Sequence, residues 1–286
     1  MFASIHHALA KELHKYGIYS NLLEWTKSYT PEEWAMLGES YDLIVTKVDG
    51  LPKLLSQGIP PEKLAGVSHA EWDYLLTTQG GQAPEFYSQI RKFGAVSPWL
   101  VEKSAELGIP RVPDLVTLGV FFDVFHSQPK ESLSVLGYAG ARDTKDFRGN
   151  DIKRGKLVYE SLPQGVELHE HQFYNWMCMP AYYPRLDAVA ITSSQEGAGL
   201  PSMEAACAGR LVLSTLVGVF REHGPRGGGI VLPLEENELK TSLYDYLSFY
   251  RDNPEVYRRK CREIQEYARE NYDWSKHIEA WVRFLS

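Results

Sequence analysis

The chain reads as an α/β protein built from two Rossmann-like domains in succession, and three observations point there. Short apolar runs of strand length alternate with longer stretches that repeat at helical spacing. A polar segment containing a proline, Ser127–Lys130, interrupts that alternation, which then restarts. In the second half, an apolar strand runs through a Ser/Gly-rich loop straight into a helix, the turn that parallel sheets use to bind ligands.

The elements follow in order. Ile5, Leu9 and Leu13 recur every four residues, as on the buried side of a helix, and Gly17 ends it. Ile18 to Trp25 is a short apolar run, and Pro31 to Leu37 is a helical turn with Thr30 as its cap. Asp42 to Val48 is strand by composition, Leu51 to Gln57 helix, and Lys63 to Ser68 a second strand. Ser97-Pro98 opens a helix to about Leu107, and Val112 to Val120 returns as strand and loop. Ser127–Lys130 is the linker. Beyond it, strands are expected at Leu133 to Ala139, Val166 to His171, Ala188 to Thr192 and Leu211 to Thr215, with a helix at Ile152 to Leu162. The chain closes with three helices: Glu238 to Arg251, one beginning at Pro254, and one capped by Asp273 or Ser275. Ile278, Trp281, Val282 and Leu285 share one side of the last. Such alternation predicts parallel sheets covered by helices.

Composition narrows the function. The 286 residues are 44% hydrophobic, enough for two cores. A net charge of -7 with no basic cluster argues against nucleic acid, whose backbone demands grouped Lys and Arg. The three cysteines are widely spaced and odd in number, so neither a disulfide framework nor a zinc site is expected. A reducing, cytoplasmic setting is the plain reading. The opening residues show no basic-then-apolar pattern, so no signal peptide is expected, and no apolar run reaches membrane-spanning length; peripheral membrane contact has no positive support.

The chemistry concentrates in Asp187 to Thr215. The strand A-V-A-I-T leads into a loop ending at Pro201, which suits the first turn of a helix, and Gly209 stops that helix. A helix start presents unpaired N–H groups and the positive end of its dipole to an anion. Gly197 and Gly199 let a ligand approach the backbone closely. Glu196 and Glu204 flank the site. Carboxylates repel phosphate, so they serve better as acceptors for hydroxyl groups. A ligand carrying both phosphates and hydroxyls, a nucleotide sugar, satisfies both demands. A plain strand-to-helix turn with solvated acids is the competing reading of the same residues.

At this point the sequence resembles a known family. E-G-A-G-L-P-S-M-E-A-A-C-A-G, from Glu196, resembles the E-x7-E signature of retaining glycosyltransferases of the GT-B fold, family 4, which usually read E-G-F-G-L-P-x-x-E-A-M-A-x-G-x-P-V. Leu211-Val212 stands where that family has Pro-Val, followed by Thr215, Gly218 and Glu222 as T-x-x-G-x-x-x-E. Gly229 to Pro233 resembles its G-x-L-V-P strand, Leu186-Asp187-Ala188 its A-D-V, Leu118 to Phe125 its domain junction, and Trp274 to Leu285 its closing W-x-x-I helix. The resemblance covers nearly the whole second half and scattered points of the first.

The resemblance implies residues 1–126 as an acceptor-side domain, 131–270 as the nucleotide-sugar domain and 271–286 as a helix crossing back to the first. A donor cleft between the domains would close over the donor. Glu196 would bond the donor sugar's hydroxyls, the N–H groups of Gly197, Ala198, Gly199 and Leu200 would meet the sugar and its β-phosphate, and Glu204 would accept from the ribose. The family's cationic R-x5-K-G pair, which holds the diphosphate as leaving-group charge grows, is altered here. Arg142 takes the first place; Lys153 and Arg154 contest the second, with Arg148 a weaker candidate. His69 stands where the family places a histidine facing the donor sugar, and Tyr174 lies near the nucleobase position. His169, Glu170 and His171 follow one another on a strand, where neighbours point to opposite faces, so no metal site is expected. No cofactor is implied, since Arg and Lys replace a metal.

The reaction implied is transfer of a hexose from a nucleoside-diphosphate sugar to a hydroxyl of a glycan, lipid or small molecule, with retention by a same-face route. A nucleotide-sugar epimerase of the same fold and a non-catalytic nucleotide-sugar-binding module are the alternatives. In the family the first domain opens with a strand and a Gly-rich loop, whereas Met1 here enters directly on the first helix. An abbreviated first domain is therefore expected.

Overall fold

The fold is that of a computed structural model, which describes residues 2–23, 27–79, 85–140, 145, 149–171 and 176–286. Trp25, Arg142, Arg148 and Tyr174 lie outside the described residues. The chain divides into two compact units, one holding residues 2–118 and 277–286, the other 119–276.

The N-terminal unit opens with α1 (Phe2–His14) and α2 (Pro31–Ser40). Gly17 follows α1 at φ 75°, as a helix stop requires. Thr30 caps α2 through a full capping box: Glu33 N–H donates to its hydroxyl, and the Glu33 carboxylate receives Thr30 N–H. Next come β1 (Ile44–Lys47), α3 (Leu51–Ser56), β2 (Leu64–Ser68), α4 (Glu71–Gln79), α5 (Phe86–Gln89), β3 (Lys92–Ala95), α6 (Pro98–Glu106) and β4 (Asp114–Leu115). The strands pair in parallel in the order β1-β2-β3-β4, with Ile44 opposite Leu64 and Ala65 opposite Lys92. Every residue of β2 is buried, the mark of a strand covered on both faces. Lys-Phe-Gly-Ala of β3 has no apolar run for periodicity to detect, and tertiary pairing alone makes it a strand. The expected strand from Val112 shrinks to Asp114–Leu115.

The C-terminal unit carries α7 (Phe122–Phe125), β5 (Val135–Tyr138), α8 (Gly155–Glu160), β6 (Glu167–Glu170), α9 (Met179–Tyr182), β7 (Ala188–Ile191), α10 (Leu200–Cys207) and β8 (Leu211–Thr215). Then come α11 (Phe220–His223), β9 (Ile230–Leu232), α12 (Glu236–Asp252) and α13 (Pro254–Asn271). Its five strands are parallel in the order β6-β5-β7-β8-β9. Chain order reverses between β5 and β7, so the loops beyond those two strands flank the crevice where such sheets bind ligands. The helix expected from Ile152 begins only at Gly155, because residues 151–154 form a tight turn.

The segment Ser127–Lys130, expected as a linker, is hydrogen-bonded into this unit. Ser127 Oγ donates to Ala208 O, Gln265 Nε2 donates to Ser127 O, and the buried Arg210 guanidinium reaches Ser127 Oγ and Gln128 O. The chain passes between units at Leu118/Gly119 and at Lys276/His277.

The last helix, α14 (Ile278–Leu285), belongs to the N-terminal unit and packs on α1 and β3. Trp281 Nε1 donates to Thr117 O at 2.9 Å. Phe284 lies over Gly94, where a Cβ would come within 3.2 Å of the ring and 2.9 Å of Val116. Two expectations are corrected here. The buried side is Ile278, Trp281 and Phe284, not Val282 and Leu285, because the helix faces its unit along an i, i+3, i+6 row. No side chain caps α14; the Asp273 carboxylate instead receives Ser275 N–H and Phe122 N–H.

Candidate functional site

The site is built from three loops at the carboxyl ends of the C-terminal unit's strands. The first follows β7 and runs from Thr192 to Gly199. Gly199 is the N-cap of α10 at φ 77°, a left-handed conformation that glycine adopts without strain, and Pro201 sits inside the first turn. Pro201 carries no N–H and Ser202 N–H already donates to Gly199 O at 3.0 Å, so at this helix start it is the Leu200 N–H that has no intrahelical partner. Leu200 opens the helix one residue earlier than its sequence suggests.

The second loop follows β8 and fastens the first. Val219 N–H donates to Ala198 O at 3.0 Å. Gly218 makes this approach feasible: it has φ 52°, and a Cβ there would lie 2.5 Å from Ala198 O.

The third loop precedes α8. Asp151 Oδ1 accepts from the N–H groups of Lys153 and Arg154, at 3.1 and 2.8 Å, which closes the turn. Arg154 then adopts φ 51°, alone among the described non-glycine residues in having positive φ. This conformation separates two neighbouring cations. The Lys153 ammonium pairs with Glu196 Oε1, which also accepts from Ser193 Oγ at 2.7 Å. The Arg154 guanidinium turns inward, where burial draws its pKa down. There it donates to Thr192 O and Leu234 O, both at 2.6 Å, and to Ser193 O at 3.3 Å. Of the two contested cations, Lys153 lies beside Glu196 while Arg154 binds the strand ends together.

Glu204 sits one turn into α10. Its Oε2 accepts from Tyr183 Oη at 2.8 Å. Desolvation pushes this carboxyl up to about 7, and the Tyr183 hydrogen bond opposes the rise. Tyr183 is itself fully buried.

His69 belongs to the N-terminal unit, directly after β2. The buried Asp73 carboxylate accepts from His69 N–H at 2.6 Å and Ala70 N–H at 3.1 Å, and pairs with Lys47 at 3.1 Å. His169 and His171 both lie edge-on to the Tyr182 ring. Among the described residues no group of three or more His, Cys, Asp or Glu could hold a metal ion, and no helix is long and apolar enough to cross a membrane.

The sequence did not single out Ser193, Tyr183 or the Gly218 contact with Ala198. Ser193 lies three residues before Glu196, so a local signal existed. Tyr183 is 21 residues from Glu204 and carried none.

Two parallel α/β sheets in one chain, the second with a glycine-capped helix start at its switch point, give the GT-B glycosyltransferase fold. No protein-family model and no curated protein matches the chain. Solved structures do share its fold. HepE of Anabaena, solved with UDP and glucose, has a TM-score of 0.67 at 14% identity over 96% of this chain and 88% of that one. Sucrose-phosphate synthase of Thermosynechococcus elongatus has a TM-score of 0.64 at 16% identity over 89% of this chain and 76% of that one. The pneumococcal O-GlcNAc transferase GtfA, in complex with UDP and GlcNAc, has a TM-score of 0.58 at 14% identity over 88% of this chain and 58% of that one.

Proposed function

We propose that the chain is a retaining glycosyltransferase of the cytoplasm that moves a hexose from a nucleoside-diphosphate sugar to a hydroxyl acceptor without a metal ion. One observation carries the reading: an ammonium and a carboxylate, Lys153 and Glu196, meet beside the glycine-capped start of α10, with Glu204 one turn further on. Phosphate needs the cation and the helix N–H groups; a sugar and a ribose need the two carboxylates. UDP is the first donor nucleotide to test, since HepE and GtfA were solved with it.

In this reading Lys153 neutralises the diphosphate as the glycosidic bond breaks, and the N–H groups from Gly197 to Leu200 receive the β-phosphate. Glu196 holds the sugar hydroxyls and Glu204 the ribose. Arg142 is assigned as the second cation, Tyr174 to binding of the base, and His69 to the donor sugar. Arg154, which the sequence offered as a catalytic cation, is assigned a positioning role, since its guanidinium is bonded to three carbonyls. The leaving phosphate takes the acceptor's proton on the face it departs from, and the protein supplies position and charge. The acceptor is a glycan, a lipid or a small molecule.

A thermal-shift panel of UDP-, GDP-, ADP- and TDP-sugars tests the donor, because a ligand that binds only the folded state raises its melting temperature. One nucleotide series should stabilise the chain, and the product formed from it should keep the donor's anomeric configuration by NMR. No shift with any nucleotide sugar would refute the donor site; an inverted product would refute retention.

A further inference from the structure

We propose that the Lys153–Glu196 pair is the device by which this site distinguishes an intact nucleotide sugar from the bare nucleoside diphosphate; the inference rests on the donor reading above. Glu196 Oε1 takes both the Lys153 ammonium and the Ser193 hydroxyl. Both members of the pair are largely withdrawn from water, with side chains 20% and 17% exposed, so solvent and salt screen them less than a surface pair. The backbone that carries Lys153 is fixed. The Lys153 carbonyl accepts from Thr192 Oγ1 at 2.8 Å and Tyr138 Oη at 3.2 Å, and its N–H is held by Asp151. Arg154, committed to three carbonyls, is turned away from Glu196.

A diphosphate that takes Lys153 must take it from Glu196. A ligand ending in phosphate leaves that carboxylate with Ser193 alone, partly buried and facing a new anion, which is unfavourable. A nucleotide sugar completes the exchange, because its hydroxyls become the donors that Glu196 has lost. Its β-phosphate, esterified to the sugar, also carries less negative charge at neutral pH than a terminal phosphate. After transfer the sugar is gone, Glu196 competes again for Lys153, and the nucleoside diphosphate is weakened as a product inhibitor.

Calorimetric titration of UDP and UDP-glucose into the wild type and Glu196→Gln tests this. UDP-glucose should bind the wild type more tightly than UDP. Glu196→Gln should strengthen UDP binding by about threefold or more and narrow the preference for UDP-glucose. In a Lys153→Gln background the same substitution should give no gain for UDP. A residue that only supports the loop would weaken both ligands when replaced. Tighter binding of UDP than UDP-glucose by the wild type overturns the proposal without any variant. So does UDP binding that is unchanged or weaker in Glu196→Gln. If neither ligand binds, the same titrations use the nucleoside diphosphate and nucleotide sugar that stabilise the chain in the thermal-shift panel; binding of no member of that panel overturns the donor reading itself, which separates the two failures.

Discussion

A carboxyl that leaves water keeps its proton longer, and Glu204 is the case in point. Desolvation pushes it up to about 7 from an ordinary 4.5, although Tyr183 Oη donates to it. The folded chain therefore binds more protons than the unfolded chain between those two values. Stability from this group is complete below about 4.5 and is lost as pH rises through about 7. Glu204→Gln, which keeps an acceptor for Tyr183, should be more stable than wild type at pH 8 by roughly 3 kcal/mol. The advantage should fall below about 1 kcal/mol near pH 5. Urea titrations at both pH values check it, and an equal difference at both would show that the carboxyl does not titrate in this window. Residue identity made Glu204 a candidate, whereas its environment could not be read, because Tyr183 reaches it from a separate helix. The same limit applied to Lys153 and Arg154. Both carry one charge, and only the left-handed backbone at Arg154 sends them in opposite directions.

Among the elements, the turn from β7 into α10 was the most legible, because Gly199, Pro201 and Gly209 are local requirements of a helix start and stop. What holds that turn was not local. Gly218 lies in the next loop and fits against Ala198 O only because it lacks a Cβ. Gly218→Ala combines an unfavourable φ with a backbone clash, and should cost about 2 kcal/mol or more of stability. It should also weaken nucleotide binding, since the α10 start moves with the loop. Chemical denaturation with UDP titration checks both; unchanged stability would mean that the two loops are not in contact. Strand β3 makes the converse point. Its four residues hold a lysine, a glycine and one large apolar side chain, and they become a strand because β2 and β4 offer ladders on either side.

At the scale of the whole chain, the last helix is decided by contacts far away in sequence. α14 returns to the N-terminal unit, where Trp281 bonds to Thr117 O and Phe284 covers Gly94. Phe284→Ala removes a buried ring packed over Gly94, and should destabilise the chain by about 3 kcal/mol. A urea denaturation curve should shift accordingly, and no shift would mean that the helix is not docked through this face. The amphipathic spacing from Ile278 announced a helix correctly, yet chose Val282 and Leu285 for its buried side, because a hydrophobic stripe about 100° wide leaves its exact centre to the partner surface.

Sequence alone therefore determined what depends on neighbours along the chain: the α/β alternation, the glycine and proline positions that start and stop helices, and the paired acids at Glu196 and Glu204 in their E-x7-E spacing. Tertiary structure decided what depends on distant atoms and on backbone sign. It set which strand pairs beside which, put Lys153 rather than Arg154 against Glu196, set Glu204 against the buried Tyr183, and tied Ser127–Lys130 into the C-terminal unit. The physical reason is that propensity and capping act over about one helical turn, while desolvation, ion pairing and close packing depend only on which atoms the fold brings together.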